Sequence, residues 1–308
     1  ISLMYTYVSN NFDKCPSQAG TLLNNGCTGS GDVGATDKNY VHTVIPLLPV
    51  SNVSLITNND DKLEGVTYFD GLGREIQKVG VRGGSQRQDI KTPLLYDEFG
   101  RQTVTYLPHA VSTSSVSTYT SNTTLIAGLN SYYLSKFGTQ LNSSNPNPYS
   151  EQRFDASPLS RILETGTPGK DWLINPTSDS DHTTKFDYNT NASNEVYKID
   201  YPGAGLSLSL ASYYPQGELL KNTVKNENWV TADGKLNTKD VFTDKSGRKI
   251  AEYSYVLEGT VKILKTYYVY DNPGNIVYVL TPKLFTILGS GTTISTTQLN
   301  NLAFQYVY

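Results

Sequence analysis

The sequence predicts an all-β protein in which repeated antiparallel β-hairpins form a curled, open sheet, with one or two short helices in insertions. The 308 residues include 23 Tyr against 9 Phe, and Ser, Thr and Asn are abundant. Such a composition suits short, half-buried strands and the turns between them. An aromatic–Asp–x–x–Gly–Arg pattern also recurs along the chain at nearly regular spacing, which is typical of repeat architectures.

Residues 1–37 form the first predicted segment, an N-terminal strand followed by a loop that contains Cys15 and Cys27. A disulfide between these cysteines would contribute about 3 kcal/mol by closing the loop, and it would suit an extracellular protein. Two free thiols are the alternative. Because the chain starts at Ile1 and has a strand pattern at both ends, we expect it to be a piece of a longer protein.

Residues 38–110 form the second predicted segment, which holds the first two clear repeats, at 68–76 and 95–103. In each repeat the Asp is expected to accept hydrogen bonds from the backbone amides just ahead of it and so to fix a turn. The Gly three residues later can adopt a positive φ without steric cost. The Arg can pair back to the Asp, which is expected to define geometry more than to add stability.

Residues 111–148 form a predicted Ser/Thr/Asn-rich insertion that replaces one repeat. Apolar residues at helical spacing predict one amphipathic helix, with Thr123 or Thr124 as its N-cap. The expected role is to cover an edge or face of a sheet, and a partner-docking helix is the alternative. The residues of the apolar stripe are Leu125, Ile126, Leu129, Tyr132, Tyr133 and Phe137.

Residues 149–308 form the last predicted segment, with clear repeats at 241–250 and 269–276 and weaker ones around Asp155, Asn189 and Pro215. Neighbouring copies lie about 27–29 residues apart, and the longer step from Asp97 to Asp155 corresponds to two units. Residues 296–302 are predicted to form a short helix before a final strand, at which the repeats are truncated. The predicted turn residues of all clear repeats are Asp70, Gly73, Arg74, Asp97, Gly100, Arg101, Asp244, Gly247, Arg248, Asp271 and Gly274.

No catalytic residue, metal site or cofactor site is predicted. His42, His109 and His182 are far apart in sequence, and His109 is expected in a solvated loop. Asp179 and Asp181 have calcium-like spacing but lack the third ligand and the Gly of a calcium loop. The turn aspartates have a structural reason to recur, although a spatial pair of carboxylates of the glycosidase kind stays open.

Composition also argues against two classes of partner. The formal net charge is −3 and no basic stripe runs along the chain, so nucleic-acid binding is not expected. No stretch approaches eighteen consecutive apolar residues, and the longest apolar-leaning run, at 44–50, is broken by Pro46 and Pro49. We therefore expect no membrane-spanning helix.

The Tyr-Asp-x-x-Gly-Arg motif at this spacing resembles the YD repeat of RHS proteins. Residues 67–74 with 77–80 look like the opening repeat of large RHS proteins exported by Bacteroidetes-type bacteria. Residues 149–169 and 299–306 are similar to later blocks of the same proteins. The resemblance covers about residues 38–308 and leaves residues 1–37 unmatched.

This resemblance implies a sheet strip that spirals into a hollow shell, of which this chain would be the N-terminal part. In bacterial RHS and toxin-complex proteins such a shell encloses a C-terminal toxin, and related animal proteins act in cell-surface adhesion. The self-cleaving aspartyl-protease motif of the bacterial shells is absent from this sequence, so no catalytic residue is carried over. Any self-cleavage or toxin activity would lie C-terminal to this chain.

The leading hypothesis is a non-catalytic structural segment of a secreted or cell-surface RHS-repeat shell, that of a polymorphic toxin or effector, whose partner is the remainder of the same polypeptide. One alternative is an extracellular adhesion or carbohydrate-binding module, in which outward-facing tyrosines such as Tyr267 and Tyr270 would stack on cell-surface glycans. A second alternative is captured cargo or a partner of a protein export machine.

Overall fold

The computed structural model describes residues 5–9, 38–111 and 117–308, the first of these as backbone. They form two compact units, Ile1–Gln152 with Thr167–Leu173, and Arg153–Gly166 with Ile174–Tyr308. The predicted Cys15–Cys27 disulfide lies outside the described residues. The strands are β1 (Tyr5–Ser9), β2 (Asn39–Pro46), β3 (Lys62–Phe69), β4 (Glu75–Val81), β5 (Ile90–Pro93), β6 (Val104–Tyr106), β7 (His109–Ala110), β8 (Tyr149–Phe154), β9 (Ile162–Gly166), β10 (Thr184–Thr190), β11 (Tyr197–Lys198), β12 (Leu208–Ser209), β13 (Ser212–Tyr213), β14 (Leu220–Lys225), β15 (Thr238–Thr243), β16 (Lys249–Glu258), β17 (Thr260–Tyr270), β18 (Ile276–Leu280), β19 (Thr293–Ile294) and β20 (Ala303–Gln305), and the helices are α1 (Asn122–Phe137), α2 (Pro282–Leu288) and α3 (Thr296–Leu302).

The first unit contains an antiparallel sheet with the strand order β1-β2-β3-β4-β5-β7, and β6 pairs with β8. Val66, Tyr68, Val79 and Val81 form its buried apolar cluster. These residues alternate along β3 and β4, so one face of the hairpin is buried, as the period of a strand requires. The all-β class of antiparallel hairpins in open sheets is confirmed.

Residues 117–120 are held against β4 and β5 by buried polar side chains. The Gln77 amide exchanges two hydrogen bonds with the backbone of Thr120, of 2.8 and 3.1 Å. The Lys91 ammonium, which is 1% exposed, donates to the Thr118 carbonyl at 2.6 Å and to the Thr120 hydroxyl at 2.9 Å. A buried ammonium would be costly without such partners, so these bonds explain how a lysine is accommodated in this interior.

Helix α1 confirms the helix predicted in the insertion, but its start differs from the prediction. Ser121 is the N-cap, and its hydroxyl accepts from the Thr124 amide at 3.3 Å, whereas Thr123 and Thr124 lie inside the first turn. A cap must precede the first helical residue with an extended backbone. Leu125 and Leu129 are buried, and the helix packs against β5 and β7, as expected of a covering helix.

The prediction of a solvated position for His109 is wrong. His109 lies in β7, pairs with Lys91 of β5 and is 4% exposed. Its ring lies 6.0 Å from that of Tyr132 on α1. The helix covers the strand, and this contact between distant residues could not be inferred from Pro108 alone.

The second unit contains an antiparallel sheet in which β9, β10, β14, β15, β16, β17, β18 and β20 follow in that order. Short pairs β11–β13 and β12–β19 accompany it. Its core combines the inner face of the sheet with apolar residues from outside it. The most buried of these core residues are Val196, Leu208, Leu219, Phe242, Ala251, Tyr267, Val269, Leu280, Leu284 and Ile294.

The weak repeats predicted at Asn189 and Pro215 are one turn, not two. Strands β10 and β14 pair directly, with Thr190 opposite Leu220, so a single hairpin joins them. The turn starts at Asn191, whose amide donates to the Leu219 carbonyl at 3.1 Å, while the Leu219 amide donates to Asn191 Oδ1 at 2.8 Å. Residues 192–218 are therefore an insertion within one repeat turn.

Helix α3 confirms the helix predicted at 296–302. Ser295 and Gln298 form a capping box at its start. Helix α2 was not predicted. It begins at Pro282 after the extended Thr281, and proline at the first helical position costs nothing because that amide has no helical partner. The described residues thus hold three α-helices, one more than expected.

Candidate functional site: the turns that join the repeats

Three turns share one hydrogen-bond pattern, and Asp244 illustrates it. The Asp244 amide donates to the Arg248 carbonyl and the Gly247 amide donates to the Asp244 carbonyl, both at 3.0 Å. Its Oδ1 accepts from the amides of Ser246 and Arg248 at 2.9 Å, and its Oδ2 accepts from Arg248 Nε at 2.7 Å. One carboxylate thus closes the whole turn. The turns at Asp70 and Asp97 repeat these bonds within about 0.1 Å.

The glycine three residues after each turn aspartate is required by the conformation of the backbone. Gly73, Gly100, Gly247 and Gly274 have φ between 77° and 99°, a region in which residues with a Cβ are disfavoured. A Cβ at Gly73, Gly247 or Gly274 would meet nothing within 4 Å. The glycine is therefore required by the backbone conformation and not by lack of space.

The turns at Asp271 and Asp155 are variants of this pattern. Pro273 has no amide proton, so at Asp271 the carboxylate accepts from the amides of Gly274 and Asn275 instead. The Asn275 amide group replaces the guanidinium and donates to Oδ2 at 3.0 Å. At Asp155 the turn is two residues longer, yet Arg161 still donates from its amide and its Nε.

These contacts lower the pKa of the turn aspartates. At Asp70 the largest cause is the hydrogen bond from the Arg74 amide, which favours the ionised carboxylate. At Asp155 loss of water contact opposes ionisation, but the bonds from Arg161 and Ser157 outweigh it and lower the pKa to about 2. The turn aspartates are thus held as carboxylates by their own turns, and they act as acceptors rather than as acids.

A one-residue bulge follows three of the turns. Phe242 pairs with Ala251 but the next residue, Thr243, pairs with Lys249, so Ile250 is extra on the return strand. The same shift occurs after the turns at Asp70 and Asp271. A bulge lets two successive residues face one side of a sheet. Ile250 and Ala251 are both buried for this reason, and the sequence pattern gave no separate signal of it.

Each of three arginines also contacts a tyrosine of the following repeat. The Arg248 guanidinium lies 5.2 Å from the centre of the Tyr270 ring, and the Tyr270 hydroxyl donates to the Lys249 carbonyl at 2.9 Å. The pair Arg74 and Tyr96 repeats this arrangement at 4.5 Å. The pair Arg161 and Tyr188 repeats it at 4.8 Å. We call this contact the Arg–Tyr clasp.

The clasp gives the repeated arginine a role that its turn alone does not explain. Its Nε closes its own turn, while its guanidinium carbon lies over the tyrosine ring of the next repeat. Such a cation–π contact contributes about 0.5–1 kcal/mol at a partly exposed site. The sequence motif contains both the arginine and the tyrosine, but it does not show that they meet, because the two lie 22 to 27 residues apart.

The two tyrosines that the glycan hypothesis placed on the outside of the sheet, Tyr267 and Tyr270, have other surroundings in the structure. Tyr267 is 1% exposed and lies in the core, so its ring is not available to a glycan. Its hydroxyl accepts from the Tyr197 amide at 3.2 Å and also bonds to the Tyr253 hydroxyl. Tyr270 is partly buried and belongs to a clasp.

Asp179 and Asp181 direct their carboxylates to different partners. The Asp179 carboxylate accepts from the Thr231 amide at 2.6 Å, whereas that of Asp181 accepts from the Asn175 amide and the Lys185 ammonium, both at 2.7 Å. These bonds give each aspartate a structural role in its loop.

Among the helices of the described residues, none combines the length and the apolar character needed to cross a membrane.

Comparison with solved structures finds similarity to three assemblies that contain Tc toxin components. They are the crystal structures titled TcdB2-TccC3-TEV and TcdB2-TccC3-Cdc42, and the Tc holotoxin pore of Photorhabdus luminescens with a substitution in TccC3. Each aligns with a TM-score of 0.46 and 13% identity, over 89%, 90% and 82% of this chain respectively. The chain spans about a tenth of the length of the chains that it matches.

No curated protein matches the sequence. Residues 42–190, which run from β2 to the end of β10 and include the turns at Asp70, Asp97 and Asp155, match the family model described as "Domain of unknown function (DUF6443)".

Proposed function

We propose that residues 38–308 form a non-catalytic wall segment of a secreted RHS-repeat shell, that of a polymorphic toxin or effector. The observation that carries the proposal is the Arg–Tyr clasp. It recurs with the same hydrogen bond at Tyr96, Tyr188 and Tyr270, and each time it links one turn to the next repeat. A contact that joins each repeat only to its neighbour suits an element that extends by addition of units.

The role of the segment in this proposal is mechanical. Each repeated carboxylate closes its own turn, and three of the repeated arginines connect their turn to a tyrosine of the next repeat. The recurring polar residues therefore have structural roles. The partners are the further repeats and the C-terminal domain of the same polypeptide, and any cleavage or toxin activity belongs to those parts.

Electron cryo-microscopy of the full-length natural protein, purified from its secreting host, tests the proposal. We expect a continuous antiparallel wall around a cavity, with the Asp244 and Asp271 turns at successive positions along the wall. A natural protein in which these residues enclose no cavity would contradict the proposal.

Limited proteolysis of the same full-length protein tests the mechanical role. The double substitution Arg248→Ala with Tyr270→Ala should open the wall and expose new cleavage sites, whereas Lys245→Ala in the same turn should leave the digestion pattern unchanged. Equal resistance of the two proteins would show that the clasp does not hold the wall.

A further inference from the structure

The insertion at 192–218 does more than cover the core of the second unit. A cavity of about 450 Å³ lies between it and the neighbouring repeat turns. Pockets that hold small ligands span roughly 300–1,000 Å³. The insertion contributes Asp200, Tyr201 and Tyr214 to the lining, and the sheet and its turns contribute Arg248, Tyr270 and Asn272.

Several polar groups of this lining are not used by the protein. The Arg248 guanidinium donates to Asp244 through Nε, and among the described residues its two terminal nitrogens have no acceptor. Within the same part of the chain, the hydroxyls of Tyr201 and Tyr214 likewise form no hydrogen bond to protein atoms. Burial raises the pKa of Tyr214, so its hydroxyl stays protonated and can donate. The cavity therefore offers unused donors at several points.

The charges of the lining balance. Lys198 and Arg248 carry positive charge, and Asp200 and Asp271 carry negative charge. Such a site attracts neither anions nor cations selectively. It offers acceptors on the Asp200 carboxylate and donors on the guanidinium and the phenols, together with tyrosine rings as apolar faces.

A ligand that matches this lining is neutral, carries several hydroxyl groups that both donate and accept, and has apolar C–H faces. We propose that the cavity binds a neutral saccharide, with the Arg248 terminal nitrogens, the Tyr214 hydroxyl and the Asn272 amide as its hydrogen-bond partners. The proposal is independent of the shell function, because the cavity is formed within the second unit by the insertion and two neighbouring repeat turns, whether or not the chain belongs to a shell.

Saturation-transfer NMR on the full chain, followed by calorimetric titration, tests the proposal. The probes are the methyl glycosides of glucose, galactose, mannose and N-acetylglucosamine. At least one should bind, and Tyr214→Phe and Asn272→Ala should each weaken it roughly fivefold, the effect of one neutral hydrogen bond. Asn272 is exposed and Tyr214→Phe keeps the ring, so both variants should fold, which circular dichroism verifies.

Lys245→Ala is the matched control, since Lys245 follows Asp244 as Asn272 follows Asp271 but does not line the cavity. Its affinity should equal that of the unaltered chain. The proposal is overturned if none of the four glycosides binds, if both variants bind as tightly as the unaltered chain, or if the anionic N-acetylneuraminic acid binds more tightly than every neutral probe.

Discussion

In the clear turns at Asp70, Asp97, Asp244 and Asp271, the carboxylate of the aspartate accepts hydrogen bonds from two backbone amides and one side chain. At Asp244 these come from Ser246 and Arg248. Hydrogen bonds to a charged group contribute more than neutral ones, about 1.5–3 kcal/mol. One residue can therefore define the geometry of a turn, which is why a motif of five residues was visible in the sequence.

Asp244→Ala should lower the free energy of unfolding by about 2 kcal/mol, because it removes all three acceptor contacts and leaves a partly buried turn without them. Asp244→Asn should cost less, since one oxygen remains to accept from the backbone. Urea denaturation followed by circular dichroism measures both losses.

Lys245→Ala is the control, because Lys245 lies exposed in the same turn. Its effect should stay within about 0.5 kcal/mol. If Asp244→Ala proved equally mild, the carboxylate would not be what closes the turn.

Substitution of Asn191 tests where the turn between β10 and β14 begins. Its side chain is 1% exposed, accepts from the Leu219 amide and donates to the Pro215 carbonyl at 2.9 Å. Asn191→Ala should lower the unfolding free energy by about 2 kcal/mol, because it leaves buried backbone groups without partners. Asn189→Ala, at the exposed position that the sequence pattern favoured, should change it little. A larger loss for Asn189→Ala than for Asn191→Ala would instead support a turn that begins at Asn189.

Among the elements, the insertion at 192–218 shows how a repeat can be extended without loss of its hairpin. Its two ends meet at Asn191 and Leu219, so β10 and β14 remain paired. Its apolar residues Val196, Leu208 and Leu210 are buried in the core of the second unit. The insertion thus covers the apolar face of the sheet.

Leu208 and Leu206 are two leucines of this insertion that differ in burial, so their substitutions can be compared. Leu208 is 1% exposed and Leu206 is 52% exposed. Leu208→Ala should lower the unfolding free energy by about 2–5 kcal/mol through lost burial and a cavity, whereas Leu206→Ala should cost less than about 0.5 kcal/mol. Thermal and urea unfolding measure both, and similar losses would mean that the insertion does not pack as described.

A double-mutant cycle at Arg74 and Tyr96 tests the Arg–Tyr clasp between repeats. Arg74→Ala also removes the pair with Asp70, so the single variant overstates the clasp. The cycle with Tyr96→Leu should leave a coupling energy of about 0.5–1 kcal/mol. Additive effects of the two substitutions would remove the energetic basis of the clasp.

For the whole molecule, the shifted pKa values imply a loss of stability in acid. Burial lowers the pKa of His42 and of His109, so the folded chain binds fewer protons than the unfolded chain below about pH 6.5. Burial would raise the pKa of Asp240, but the bonds from Thr223 and Tyr255 and the charges of Lys221 and Lys235 hold it below its usual value. Below about pH 4 the folded chain likewise binds fewer protons at such carboxylates than the unfolded chain does.

The unfolding free energy should therefore fall in two stages as the pH decreases. A first loss begins below about pH 6.5, where the histidines of the unfolded chain take up protons, and a steeper loss follows below about pH 4, where its carboxylates do. Urea denaturation at a series of pH values measures both stages. His109→Gln should reduce the first stage and Asp240→Asn the second, while a stability maximum near pH 3 would contradict the assignment.

The amino-acid sequence alone was sufficient to predict the all-β class, the repeat length, the clear turns and two of the three α-helices. Each of these depends on bonds between residues within one turn or on the period of one element, such as the carboxylate of Asp70 and the amide of Arg74. A short motif can therefore encode them, and they were visible without knowledge of the fold.

The single turn that contains the 192–218 insertion, the burial of His109, the Arg–Tyr clasps and the cavity beside the insertion all depend on contacts between residues distant in sequence. Asn191 and Leu219 are 28 residues apart, and Arg248 and Tyr270 are 22 apart. Which distant residues meet depends on strand register and on what the insertions cover. The local pattern is compatible with many such pairings, and the burial of apolar surface in the folded chain selects one of them.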